Sequence, residues 1–376
     1  MLAILKNLPG LLVFVIGFIT LLLSEYYYGS ILCLLGLCLM PLAVTVVINS
    51  FGLRLEPRYT FFSIALLLIL LCYSLVNHGN DAIRLNEDRS ELAINRLSQH
   101  EIKHLQLNSI DQYFIEAGKG PETIFLLHGF PDMASTWDET ITELSKTHRV
   151  IAPFLRGYYP SGMDDDYSVK TIAGDITELA KVLKVERYAI LGQDWGASIA
   201  FATANLAPEN VTKVIALAIP HPSTIIPTPS LLFAGRHFFV FSQKDWAIRY
   251  TQSGNYSYID TLYQRWSPDF EDFQESSDAI KTTFKYPGRL EASLGYYLAL
   301  FEDQANADKK IFYASLPKVP VLYLGGENDQ GVTEEITDAM EQTMPMGSKV
   351  VVFKKAGHFL HREVFSDFID ELKAFL

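Results

Sequence analysis

The run Tyr188-Ala-Ile-Leu-Gly-Gln-Asp-Trp-Gly-Ala-Ser198 places one carboxylate, Asp194, between an apolar stretch and a small-residue helix start. Small residues at Gly192 and Gly196 allow a strained strand-to-helix turn that lifts the central side chain above a sheet, with helix-start N–H groups facing it. Elbows of this kind usually carry Ser, which forms an acyl-enzyme. A carboxylate suits attack on saturated carbon, giving an alkyl ester that water must then hydrolyse. Three further runs have the residue types that such chemistry needs. His128-Gly-Phe-Pro131 follows an apolar run and can aim the Phe130 N–H at the same point as the Trp195 N–H, a two-donor oxyanion hole. Tyr323-Leu-Gly-Gly-Glu-Asn-Asp329 supplies an acid to orient an imidazole, with Glu327 as the alternative. Ala356-Gly-His-Phe-Leu-His-Arg-Glu363 supplies that imidazole, His358, as the base that activates water. A metal pair of His358 and His361 lacks a third ligand, so His361 reads as structural, and neither metal nor cofactor is called for.

These pieces require a sheet whose strand ends converge. Apolar runs at 123–127, 150–153, 188–191, 214–219, 319–324 and 350–353 alternate with helix-periodic segments at 169–183, 196–205, 334–343 and 365–376. Such alternation predicts an α/β fold with a doubly wound, mostly parallel sheet, and a site at the carboxyl ends of its strands. Segments 104–108 and 112–117 read as a hairpin in front of it. The aromatic-rich stretch 221–315 interrupts the alternation and predicts an inserted helical cap that keeps water from the site.

The chain of 376 residues is 49% apolar with a formal net charge of −12. Its apolar excess is at the front, where 7–24, 26–53 and 59–80 hold no Asp, Glu, Lys or Arg. Runs of this length predict a three-helix transmembrane anchor over residues 1–79, with spans near 8–24, 30–49 and 60–77. No small-x-small cleavage site supports a signal peptide instead. Lys6, Arg54 and Arg58 on one side of these runs place the catalytic domain, by the positive-inside rule, outside the cytoplasm. Residues 80–103 read as a charged juxtamembrane helix leading to a domain over 104–376. All three cysteines (Cys33, Cys38, Cys72) lie in the apolar runs, so the remainder has no disulfide framework. Its acidity argues against nucleic acid or an anionic bilayer as the main partner, and the anchor is consistent with a small lipophilic substrate arriving from the membrane.

From about 104 to 376 the chain resembles the α/β-hydrolases of the epoxide hydrolase and haloalkane dehalogenase group. It carries HGFP, the Arg156-Gly-Tyr turn, GQDWGA, GGEND and AGH in that family's order. The resemblance implies attack by Asp194 on substrate carbon, charge held by the Phe130 and Trp195 N–H groups, and ester hydrolysis through His358 backed by Asp329. Leu294-Gly-Tyr-Tyr297 fits the second of two tyrosines with which epoxide hydrolases of this group protonate the ring oxygen. Phe238 stands where the first is expected, leaving His237, Tyr250, Tyr256, Tyr258 or Tyr263 as substitutes. Dehalogenation is the alternative, with a cap indole from Trp246 or Trp266, although Phe130 stands where many dehalogenases have a halide-binding amide. A non-enzymatic membrane receptor on the same fold is a second alternative, and the complete set of Asp194, Asp329 and His358 argues against it.

Overall fold

The computed structural model describes residues 94, 96–107 and 109–376. Eight strands form one sheet: β1 (Ile102–Gln106), β2 (Asp111–Ala117), β3 (Thr123–Leu127), β4 (Arg149–Pro153), β5 (Tyr188–Gln193), β6 (Val211–Leu217), β7 (Val321–Gly326) and β8 (Lys349–Phe353). Their order is β1-β2-β4-β3-β5-β6-β7-β8. β1 and β2 form an antiparallel hairpin, β2 joins β4 antiparallel, and every later pairing is parallel. The central strands β3, β5 and β7 are buried along their whole length. Their uninterrupted apolar sequences follow from having both sheet faces covered.

Between strands run α1 (Asp138–Leu144), α2 (Val169–Val182) and α3 (Trp195–Leu206). α2 buries Val169, Ile172, Ala173, Ile176, Leu179 and Ala180, one helical stripe, and its N-cap Ser168 accepts from the Thr171 N–H. After β6 come α4 (Pro229–Ala234), α5 (Arg236–Phe241), α6 (Lys244–Trp266), α7 (Phe273–Phe284), α8 (Arg289–Ala305) and α9 (Ala307–Ala314). α6 is interrupted by non-helical backbone at residues 253–256. After β7 come α10 (Glu334–Thr343), α11 (Leu360–Glu363) and α12 (Phe365–Phe375). The inserted helices lie over the carboxyl ends of the strands, as the bond from the Tyr263 hydroxyl to the Pro131 carbonyl (2.9 Å) shows.

The chain leaves β3 for β4 on one side and returns to β5 on the other. The crevice beyond the carboxyl ends of β3 and β5 is therefore a topological switch point, where open α/β sheets place ligands.

Two expectations need correction. The juxtamembrane helix does not extend to 103, since residues 96–101 turn and bend and β1 begins at Ile102. The multi-pass membrane placement, with an extracytoplasmic catalytic domain, is also overturned. Among the described residues no helix is long and apolar enough to cross a membrane. The three apolar runs, with the anchor and its cysteines, lie outside the described residues.

Candidate active site

Asp194 sits between β5 and α3 with φ 55° and ψ −121°, a conformation L-residues adopt at a cost of about 1–3 kcal/mol. The glycines around it are required by close approach. A methyl on Gly192 would run into the Gly196 carbonyl, one on Gly196 into the Leu127 carbonyl, and one on Gly129 into Asp194 itself. Packed this way, the turn presents Asp194 Oδ1 to the Phe130 N–H at 2.8 Å. Trp195 is the first residue of α3, so its N–H belongs to the unpaired first turn of that helix.

His358 Nε2 lies 3.4 Å from Asp194 Oδ2, and its Nδ1 lies 2.7 Å from Asp329 Oδ2. Asp329 is itself fixed by the Gly331 N–H, which donates to its Oδ1 at 2.8 Å. Glu327, the alternative acid, is exposed. Burial disfavours the imidazolium of His358, yet the charge of Asp329 and the neighbouring Asp194 outweigh it and raise the pKa to about 10.

The turn carrying His358 is clamped by groups that sequence reasoning missed. The His358 N–H donates to the Trp266 carbonyl at 3.0 Å. Glu363 accepts from the Gly357 N–H (2.9 Å), the Phe359 N–H (3.0 Å) and the Ser267 hydroxyl (2.7 Å). Nothing in the sequence pairs Ser267 with Glu363, because they meet only when the end of α6 docks on α11. His361 is held apart from the site chemistry, its Nε2 2.7 Å from the Thr136 hydroxyl.

A cavity of about 420 Å³ opens above these groups, lined by Asp194, Trp195, Asp329 and His358 from below and by His237, Phe238, Trp266 and Tyr297 from the inserted helices. Tyr297 is 1% exposed and held by the edges of Phe130 (5.5 Å), Trp195 (5.0 Å) and Phe238 (5.1 Å). Burial, and then the charge of Asp194, push its phenol well above the ordinary value, so it stays protonated. The Trp195 indole N–H faces its hydroxyl, but the two make no well-formed hydrogen bond and neither has another protein partner. Orphaned polar atoms in a buried site call for a functional explanation. Tyr296, one residue earlier, instead donates to the Arg156 carbonyl at 2.7 Å.

Of the five substitutes for the missing tyrosine, His237 alone lines this cavity among the described residues. Tyr263 and Tyr256 spend their hydroxyls on the Pro131 and Phe284 carbonyls, and Tyr250 stacks on Trp246, both partly exposed. His237 Nδ1 accepts from Arg265 at 3.2 Å, which assigns its proton to Nε2. Burial, and then the Arg265 charge, lower its pKa to about 3 and keep it neutral. Of the two cap indoles, Trp266 reaches the cavity and Trp246 does not.

The sheet order, the strained carboxylate turn and the imidazole between two carboxylates define a hydrolase on a doubly wound α/β scaffold. The sequence pattern of the alpha/beta hydrolase fold matches residues 122–363, and the chain belongs to that family as an epoxide hydrolase-like enzyme. The AB hydrolase superfamily protein YfhM of Bacillus subtilis (strain 168) is 30% identical over 267 residues, 68% of this chain and 91% of that protein. A protein of Corynebacterium sp. (strain C12) named soluble epoxide hydrolase is 26% identical over 275 residues, 70% of this chain and 93% of its own. The crystal structure of wild-type Cfl2 from Burkholderia cenocepacia shares the fold, with a TM-score of 0.65 at 24% identity over 75% of this chain and 97% of that one.

Proposed function

We propose that the enzyme hydrolyses epoxides of lipophilic compounds through an alkyl ester on Asp194, with residues 221–315 acting as a cap over the site. The observation that carries this reading is a carboxylate at the elbow, facing His358 at 3.4 Å on the floor of a cavity that also holds the unpartnered Tyr297 hydroxyl. An Asp194 oxygen bonds to a ring carbon as the ring C–O bond breaks, and the departing oxygen takes the Tyr297 proton. The Nε2–H of His237 is the second donor, in place of the phenol that Phe238 lacks. His358 then removes a proton from water, whose oxygen attacks the ester carbonyl. The Phe130 and Trp195 N–H groups hold the charge that develops on the carbonyl oxygen. Collapse releases the diol and regenerates the Asp194 carboxylate, leaving His358 protonated beside it as at the start. Alkylation removes one of the two charges that hold His358 protonated, so before the water step its proton passes through solvent to the Tyr297 phenolate and the base is freed.

One observation favours a second reading, haloalkane dehalogenation: the Trp266 indole lines the cavity, where with Trp195 it would hold a departing halide. The two are separated by His358→Gln incubated with a terminal alkyl epoxide or the matching chloroalkane, followed by intact-protein mass. A mass gain equal to the epoxide, mapped to Asp194, is the expected result. A gain from the chloroalkane alone favours dehalogenation, and no gain from either removes the covalent mechanism.

A further inference from the structure

Beyond the reacting groups, the wall of the cavity is hydrocarbon, with Phe201 and Ala202 from α3, Ile219 after β6, Leu231 from α4, Leu300 from α8 and Ile336 from α10. Its volume is about 420 Å³. Among the described residues that line it there is no Lys and no Arg, whereas two carboxylates, Asp194 and Asp329, stand on its floor. His358 can neutralise only one of them. Two of the polar side chains elsewhere on the wall are already engaged by the protein. Asn205 donates to the Ser315 carbonyl at 2.7 Å, and Tyr313 to Asp303 at 2.6 Å.

An ionised carboxyl group drawn into this space would lose its water and meet two anions with no cation on the lining, the nearest described guanidinium, Arg265, being turned to the far side of His237 and bonded to its Nδ1. We infer that the substrate is a neutral, mostly hydrocarbon epoxide, and that the cavity discriminates by charge against epoxides that carry a carboxylate. This rests on the epoxide reading above and narrows it to a substrate class. An acid can escape the penalty by binding protonated. With an ordinary pKa of about 4.3, that route costs on the order of 500-fold at pH 7 and about tenfold less for each pH unit of acidification.

The test uses the purified full chain and three compounds: a ten-carbon terminal alkyl epoxide, the same epoxide with a primary alcohol at its far end, and the corresponding carboxylic acid. The three share their reacting group and chain length, and the alcohol separates polarity from charge. The expected kcat/KM for the acid at pH 7 lies about 100-fold or more below that of the alcohol, the ratio narrowing about tenfold by pH 6. Because both compounds meet the same enzyme titrations, the ratio isolates the ionisation of the substrate. An acid processed within about threefold of the alcohol at pH 7 overturns the inference and leaves the epoxide reading intact. If no compound turns over and His358→Gln gains no mass from the hydrocarbon epoxide, the epoxide reading fails and the inference with it.

Discussion

On the sheet side of the cavity, a methyl added at Gly129, Gly192 or Gly196 would run into backbone or into Asp194 itself, while on the helix side Tyr297 rests against the edges of neighbouring rings. Backbone pressed against backbone has no rotamer to adjust, so the position of Asp194 is closely fixed. Ring edges against rings accept a different ring of similar size with small rearrangement. Phe238 is such an exchange: it keeps the aromatic wall and gives up a hydroxyl. The side with the proposed nucleophile keeps the motifs on which the sequence resemblance rests, and the side proposed to receive the leaving oxygen departs from them.

The comparison breaks first on charge. Asp329→Asn leaves the shape of the floor but removes the partner of His358 Nδ1, and kcat should fall by about 10²–10⁴. The same variant has a signature in stability. The pKa of His358 is raised in the folded chain, so its contribution is complete below about 6.5 and is lost as pH rises toward about 10. Urea midpoints of the parent should therefore decline between pH 7 and pH 9 more steeply than those of Asp329→Asn. Parallel slopes would mean that Asp329 does not hold the proton on His358.

Geometry comes next. Gly129→Ala forces a methyl against Asp194 and to within 2.6 Å of the Gln193 carbonyl, and it should lower kcat/KM by about 100-fold or more. Its counterpart among the inserted helices is Gly235→Ala, where the nearest atom is 3.4 Å away and φ is −78°. That change should leave stability within about 1 kcal/mol and activity near the parent. Equal losses at the two glycines, measured by turnover and thermal melts, would erase the distinction between rigid floor and adaptable roof.

The smallest of these effects sharpens the roof. Tyr297→Phe keeps the ring contacts and removes only the orphaned hydroxyl, so epoxide turnover should slow by about tenfold, or roughly 1.4 kcal/mol. His237 remains as a donor, which limits the loss. Haloalkane turnover, where present, should change less, because a halide leaves without a proton. Parent-like epoxide rates in the variant would reduce Tyr297 to a packing residue.

The strand and helix alternation was legible within a few residues, because central strands buried on both faces must be continuous apolar runs. α1 (Asp138–Leu144) escaped notice because seven residues make too short a stripe for periodicity to stand out. The hydropathy of residues 7–80 suggested a membrane placement that the rest of the chain does not support, since no described helix could cross a bilayer.

What the sequence determined by itself is the set of local backbone demands. A carboxylate flanked by Gly192 and Gly196, a histidine after Gly357, and an acid after the glycines of β7 are statements about turns, and turns are encoded by their own residues. Tertiary structure decided which side chains face the cavity. Tyr297 reaches it while Tyr296 bonds to Arg156, and His237 reaches it while four tyrosines of the same segment do not. It also brought Ser267 and Glu363 together beneath His358 from positions 96 residues apart. One residue along a helix turns a side chain by about 100°, so the facing of each depends on how α5, α6 and α8 dock, and docking is set by contacts far away in the chain.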